Sequence, residues 1–199
     1  MTRPELTYDP DSHSYFLGGQ PIPGVTSVIR QQLAPLPPVN PELMQRAALF
    51  GSAVHSACEL FDKATLDFST LDDAVVPYVE GWRLFCKDIG WTVIHNEDII
   101  CSYKYRFAGT LDRIMGTDKG LALVDIKTGT TLSPAVGPQT AAYVIAAEEY
   151  LDVPTIKRRF CVQLMPNAYK LHQLKESMDS YTFIAALNNY NWRLKHGTA

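Results

Sequence analysis

Phe107 to Gly129, FAGTLDRIMGTDKGLALVDIKTG, decides how the chain is read. Two apolar runs flank Gly116-Thr-Asp-Lys-Gly120, a Gly/Asp-rich turn, so the stretch is expected to form a β-hairpin. Side chains alternate along a strand, which puts Asp125 and Lys127 on one side and Ile126 on the other. A turn centred between Asp118 and Lys119 places Asp112 opposite Asp125. Two carboxylates so paired lie roughly 5 Å apart and repel. A divalent cation between them reverses that cost, because hard oxygen ligands suit magnesium and manganese. Asp-x-Lys alone is a common solvated surface pattern. Here it follows the apolar run Leu121-Ala-Leu-Val124, and charges at the end of a buried strand are rarer than charges in a loop.

Outward from the hairpin, each flank supplies one long element and one chemical candidate. Upstream, Trp91 to Cys101 is read as a strand with Glu97 in its middle. Before it, Asp72 to Ile89 is a helix with Val75, Val79, Trp82 and Phe85 at helical spacing. A longer helix starts at Asn40-Pro41, a capping residue followed by proline at the first helical position, and is expected to run to about Ala64. It carries Gly51, Ser52 and His55, with Glu59 one turn on from His55 and on the same face. Gly51 and Ser52 are expected to let another backbone come close. Read alone, His55 is more readily a core or capping histidine than a ligand.

Downstream, Pro138 to Tyr150 is read as a helix with Gln139 and Tyr143 four apart. Thr155 to Met165 is a strand carrying the basic run Lys157-Arg158-Arg159, which suits a solvated edge as well as a DNA contact. Asp179 to Lys195 is the closing helix. At the start, Leu6 to Leu17 reads as a small hairpin turning at Pro10-Asp11. Val25 to Ile29 is either β-prone or the first turn of a helix. The prolines of 34–38 exclude regular structure there. The order of elements predicts an α/β fold, a central mixed sheet with helices on both sides.

Composition narrows the classes. The 199 residues suit a single domain, with residues 1–39 as hairpin and linker and 40–199 as the core. Hydrophobic residues make up 46% and charged residues 20%, which excludes a disordered chain. No apolar run approaches the length of a membrane span, and no secretory leader is evident, so a cytoplasmic protein without membrane association is expected. Cys58, Cys86, Cys101 and Cys161 form no CxxC pair, which supports neither a zinc nor an iron–sulfur site. A net charge of −3 means that any nucleic-acid groove must be local.

Taken together, Gly51…His55, Gly109-Thr-Leu-Asp112, Asp125-Ile-Lys127 and Gln139…Tyr143, in that order, resemble the PD-(D/E)XK nuclease superfamily, a restriction-endonuclease-like core. The likeness is to its RecB-type exonuclease branch, which includes phage exonucleases and the mitochondrial genome maintenance exonuclease. It spans roughly residues 8 to 165. The resemblance implies a divalent-metal-dependent deoxyribonuclease using Mg2+ or Mn2+, active on single-stranded DNA or DNA ends in replication, recombination or repair. It assigns the metal to His55, Asp112, Asp125 and the Ile126 carbonyl, and the chemistry to Asp112, Asp125, Lys127, Gln139 and Tyr143. Glu59 and Glu97 are candidates for supporting the ligands or for a second metal. A recombinase or single-strand-binding protein is the kind of partner implied. The alternatives are an endonuclease at the same site, an inactive or partner-dependent nucleic-acid-binding protein on the same fold, and a hydrolase of small phosphoesters.

Overall fold

The computed structural model describes residues 3–34 and 40–197. Most of the Pro-rich stretch 34–38 therefore lies outside the described residues. The chain opens with a three-stranded antiparallel sheet of β1 (Leu6–Asp9), β2 (Ser14–Leu17) and β3 (Gln20–Ile22). Next come α1 (Val25–Gln32), α2 (Pro41–Asp62) and α3 (Val76–Ile89). The main sheet takes β4 (Thr92–Ser102), β5 (Phe107–Thr117) and β6 (Gly120–Lys127). After α4 (Val136–Tyr150) it is completed by β7 (Arg158–Met165) and β8 (Ala168–Leu174), and α5 (Asp179–His196) closes the fold.

The five strands lie in the order β4-β5-β6-β7-β8. Neighbours are antiparallel except β6 and β7, which are parallel. Parallel neighbours need a crossover, and α4 supplies it. On one face α1, α4 and α5 bury Val28, Ala142, Ala146, Phe183 and Leu187 against Ile114 and Leu123. On the other, α2 and α3 bury Val54, Cys58, Val79, Trp82 and Phe85 against Met115, Val124, Ile126 and Val162. The expected mixed sheet between helices is the architecture found.

Local signals place most boundaries well. Asn40 caps α2, its side chain accepting the Glu42 N–H at 2.9 Å, with Pro41 in the first turn. Gly90 ends α3 at φ +65°, a conformation that costs glycine nothing. The hairpin register is the one expected, Arg113 opposite Val124 and Thr117 opposite Gly120.

Three readings need correction. Val25–Ile29, open between a β-prone run and a first helical turn, lies in a full helix, Val25–Gln32, whose Val25, Val28 and Ile29 enter the main core. Strands β3 and β8 carry no clear alternation in the sequence. β8 pairs with β7 through a tight turn at Pro166-Asn167, where Asn167 has φ +57°. Finally, no backbone among the described residues crowds Gly51: an added Cβ there meets Thr128 Oγ1 at 3.7 Å, an ordinary contact.

Candidate metal centre

The site lies where β5 and β6 part. Their ladder ends at Arg113–Val124. Beyond that rung β5 stays paired to β4 as far as Phe107, and β6 stays paired to β7 as far as Lys127. The rung expected between Asp112 and Asp125 is not formed. Instead Oδ2 of Asp112 accepts the backbone N–H of Ile126 at 2.6 Å, so a carboxylate spans the fork in place of a carbonyl.

Alternation also breaks at Asp112. Phe107 and Leu111 pack in the core under α1, α4 and α5, and Gly109 lies beneath Tyr143 and Val25. Arg113 and Met115, which strict alternation would put on that same face, lie instead against α2 and α3. Opposite Asp112, between the rungs Asn96–Arg113 and Asp98–Leu111, stands Glu97 with φ +54°. A left-handed backbone inside a strand is strained for a residue with a Cβ, and such strain gathers at functional sites.

This irregular point is reached from both sides of the sheet. From α2, the His55 ring comes within 3.6 Å of Glu97 Oε1 and within 3.6 Å of Asp112 Oδ1, both measured from Nδ1. Its Nε2 is 3.1 Å from the Ile126 carbonyl. A carbonyl only accepts, so Nε2 carries a proton and Nδ1 is the nitrogen facing the carboxylates. His55, Glu97 and Asp112 offer ligand atoms all within 4.8 Å of one another. From α4, Tyr143 is buried close enough to Asp112 and Asp125 for their charge to raise its pKa further, beyond the effect of burial. The Gln139 amide donates to the Tyr143 hydroxyl at 3.2 Å. A Cβ at Gly109 would lie 2.7 Å from the Tyr143 ring, so glycine there lets the ring settle on β5.

Asp125 and Lys127 form a buried pair beside this cluster, Lys127 Nζ lying 2.7 Å from Asp125 Oδ2. Lys127 holds Oδ2, while Oδ1 has no hydrogen-bond partner among the described residues. Burial pushes the Asp125 carboxyl upward in pKa, against the opposing pull of Lys127. Burial would lower the Lys127 pKa, but Asp125 and Asp112 outweigh it and hold the ammonium charged. Burial likewise disfavours charge on His55, yet Asp112 and Glu97 raise it to about 9.

A divalent cation suits these donors. An imidazole nitrogen and carboxylate oxygens converge on one point, and beside them the buried Oδ1 of Asp125 has no hydrogen-bond partner among the described residues. Hard oxygens with one imidazole fit Mg2+ or Mn2+.

The remaining candidates stand elsewhere. The Glu59 carboxylate is taken by Lys63 at 2.5 Å. The basic run begins at the other end of the parallel pair from Lys127, Arg158 opposite Ala122 and Arg159 opposite Leu123. Arg159 is tied to Asp179, 2.9 Å away, and to the carbonyls of Gly137 and Glu176. Arg158 bonds Thr117 and lies over Trp91, and Lys157 is exposed. Sequence reading gave Arg113 and Asp62 no role, though they stand directly behind the cluster. The signal available was an Arg next to the motif Asp in an otherwise apolar strand.

The sequence profile of the PD-(D/E)XK nuclease superfamily matches residues 78–181, just over half of the chain. That span holds Glu97, Asp112, Asp125, Lys127, Gln139 and Tyr143, and His55 precedes it. No curated protein matches the sequence. Among solved structures the chain is similar to one described as "Crystal structure of SSO0001", at 12% identity and a TM-score of 0.41, over 85% of this chain and 74% of that one. No helix among the described residues is long and apolar enough to cross a membrane.

Proposed function

The chain belongs to the PD-(D/E)XK nuclease superfamily, and on that premise we propose that it is an exonuclease that hydrolyses phosphodiester bonds in single-stranded DNA or at DNA ends. One observation carries the reading. Asp112, His55 and Glu97 converge at the fork of β5 and β6, beside the buried Asp125–Lys127 pair. Asp112, His55 and Asp125 would hold the metal, with Glu97 supplying a further oxygen in place of the Ile126 carbonyl, which accepts from His55. A bound Mg2+ or Mn2+ supplies activation of water and stabilisation of charge on phosphate oxygens.

The protein's own groups do the rest. Lys127 remains an ammonium among carboxylates, which suits it to stabilise the phosphate oxygens and orient the attacking water, and ill suits it to remove a proton. Tyr143 is held far above its ordinary pKa by burial and nearby charge, so its hydroxyl stays protonated and can serve as a donor to a phosphate oxygen. Gln139 anchors that hydroxyl. Asp112, fixed through Ile126, keeps its other oxygen free for the cation.

The test is cleavage of matched linear and circular single-stranded DNA with Mg2+, Mn2+ or EDTA, with Lys127→Ala in parallel. Metal-dependent loss of the linear strand alone, absent in the variant, is the expected result. Cleavage of both forms makes the protein an endonuclease at this site. No cleavage of either favours a DNA-binding role without hydrolysis.

A further inference from the structure

Arg113 is fully buried and has no part in the chemistry assigned above. It directly follows Asp112 on β5. Its Nε donates to Asp62 Oδ2 at 2.6 Å, and its Nη1 reaches both Glu97 Oε1, at 2.8 Å, and the Asp112 carbonyl, at 2.6 Å. Asp62 is fixed in turn by the Trp82 indole N–H at 2.8 Å, and the guanidinium lies over the Trp82 ring, 5.6 Å from its centroid. Burial disfavours charge on this side chain, but Asp62 and Glu97 keep it protonated.

Burying a guanidinium is costly unless it is paired, and this one is paired twice. One partner, Asp62, belongs to the packed interior of α2 and α3. The other, Glu97, belongs to the metal cluster and sits on a strained backbone. The same Glu97 oxygen faces Arg113 at 2.8 Å and His55 at 3.6 Å. A carboxylate on a left-handed strand residue has no reason of its own to point at His55 and Asp112; the planar guanidinium, locked by Asp62 and Trp82, gives it one.

We propose that Arg113 is the positioning residue of the metal centre, acting through Glu97. The core of the α2/α3 face thereby sets one metal-facing carboxylate, and Glu97 is a working member of the cation site and not a bystander. This rests on the metal-dependent reading given above. Lysine cannot replace arginine here, because a point charge does not span Asp62, Glu97 and the Asp112 carbonyl together.

The experiment is Mn2+ titration by calorimetry, together with thermal melting, for the wild type, Glu97→Gln, Arg113→Lys and the double variant. Removing a group that orients a metal ligand weakens affinity about 10- to 100-fold. Each single variant is expected to lose affinity in that range while still melting cooperatively, and the double is expected to bind no more weakly than the weaker single. Losses that multiply in the double variant, or an unchanged affinity in Glu97→Gln, overturn the proposal. Asp62→Asn loosens the guanidinium from behind without removing it and is expected to weaken Mn2+ binding in the same direction. It decides the question if Arg113→Lys does not melt cooperatively, and an unchanged affinity in it overturns the proposal. A wild type that takes up no Mn2+ overturns the metal reading as well. Wild-type binding with unaffected variants overturns the roles of Arg113 and Glu97 and leaves the metal reading standing.

Discussion

Oδ2 of Asp112 accepts the backbone N–H of Ile126 at 2.6 Å, across the gap where the β5–β6 ladder has stopped. The bond occupies one carboxylate oxygen and leaves Oδ1 facing His55. It also fixes Ile126 at a third point, since its carbonyl accepts a hydrogen bond from His55 Nε2–H and its side chain fills the core under α2.

Asp112→Asn keeps the shape and can still accept the Ile126 N–H, but it loses the charge. Saturable Mn2+ binding and DNA cleavage are both expected to disappear. The melting temperature without metal should fall at neutral pH, because the attraction of Asp112 for protonated His55 and for Lys127 is lost along with its repulsion of Asp125. Calorimetry and differential scanning fluorimetry in EDTA check the two halves.

Lys127→Met separates binding from turnover. The ammonium is assigned to the phosphate and not to the metal, so Mn2+ binding should survive while kcat falls by about 10²–10³-fold, the usual loss for one preorganised electrostatic group. Mn2+ affinity lost along with activity would instead make Lys127 part of the support for Asp125.

The metal-free protein should lose stability as the solution becomes alkaline. Folding raises the His55 pKa from 6.5 to about 9, so protonated His55 favours the folded state. That stabilisation is complete below pH 6.5 and is lost as pH rises through 9. Urea melts in EDTA at steps from pH 6 to pH 10 should show the decline, and His55→Ala should flatten it.

Gly109→Ala should damage the site through Tyr143. The new methyl would lie 2.7 Å from the ring and 3.2 Å from Val25. Overpacking of this kind costs about 1–3 kcal/mol. Urea denaturation should show that loss in a protein that still folds, and cleavage should fall by more than the loss of folded protein explains. An unaltered kcat would mean that Tyr143 tolerates displacement.

Much of the fold was legible because its signals are local. The Asn40-Pro41 start of α2, the Gly90 stop of α3 and the hairpin register about Asp118-Lys119 each rest on residues within a few positions of one another. α1 was ambiguous because eight residues span barely two turns, too few for periodicity to decide. β8 was missed because its half-buried residues alternate weakly and its turn is Pro166-Asn167, with no glycine.

Sequence alone determined the α/β order, the register of the central hairpin, and the placing of Asp112, Asp125, Lys127, His55, Gln139 and Tyr143 on elements able to meet. Only the tertiary structure decided that β5 and β6 part after Arg113–Val124, that alternation breaks at Asp112, and that Glu97 turns to join His55 while Arg113 braces it from behind. The physical reason is that periodicity and turn chemistry act over a few residues. The fork and the buried guanidinium depend instead on which distant groups desolvate one another: Asp62 on α2, Trp82 on α3 and Glu97 on β4 are brought to Arg113 only by the packing of the whole sheet.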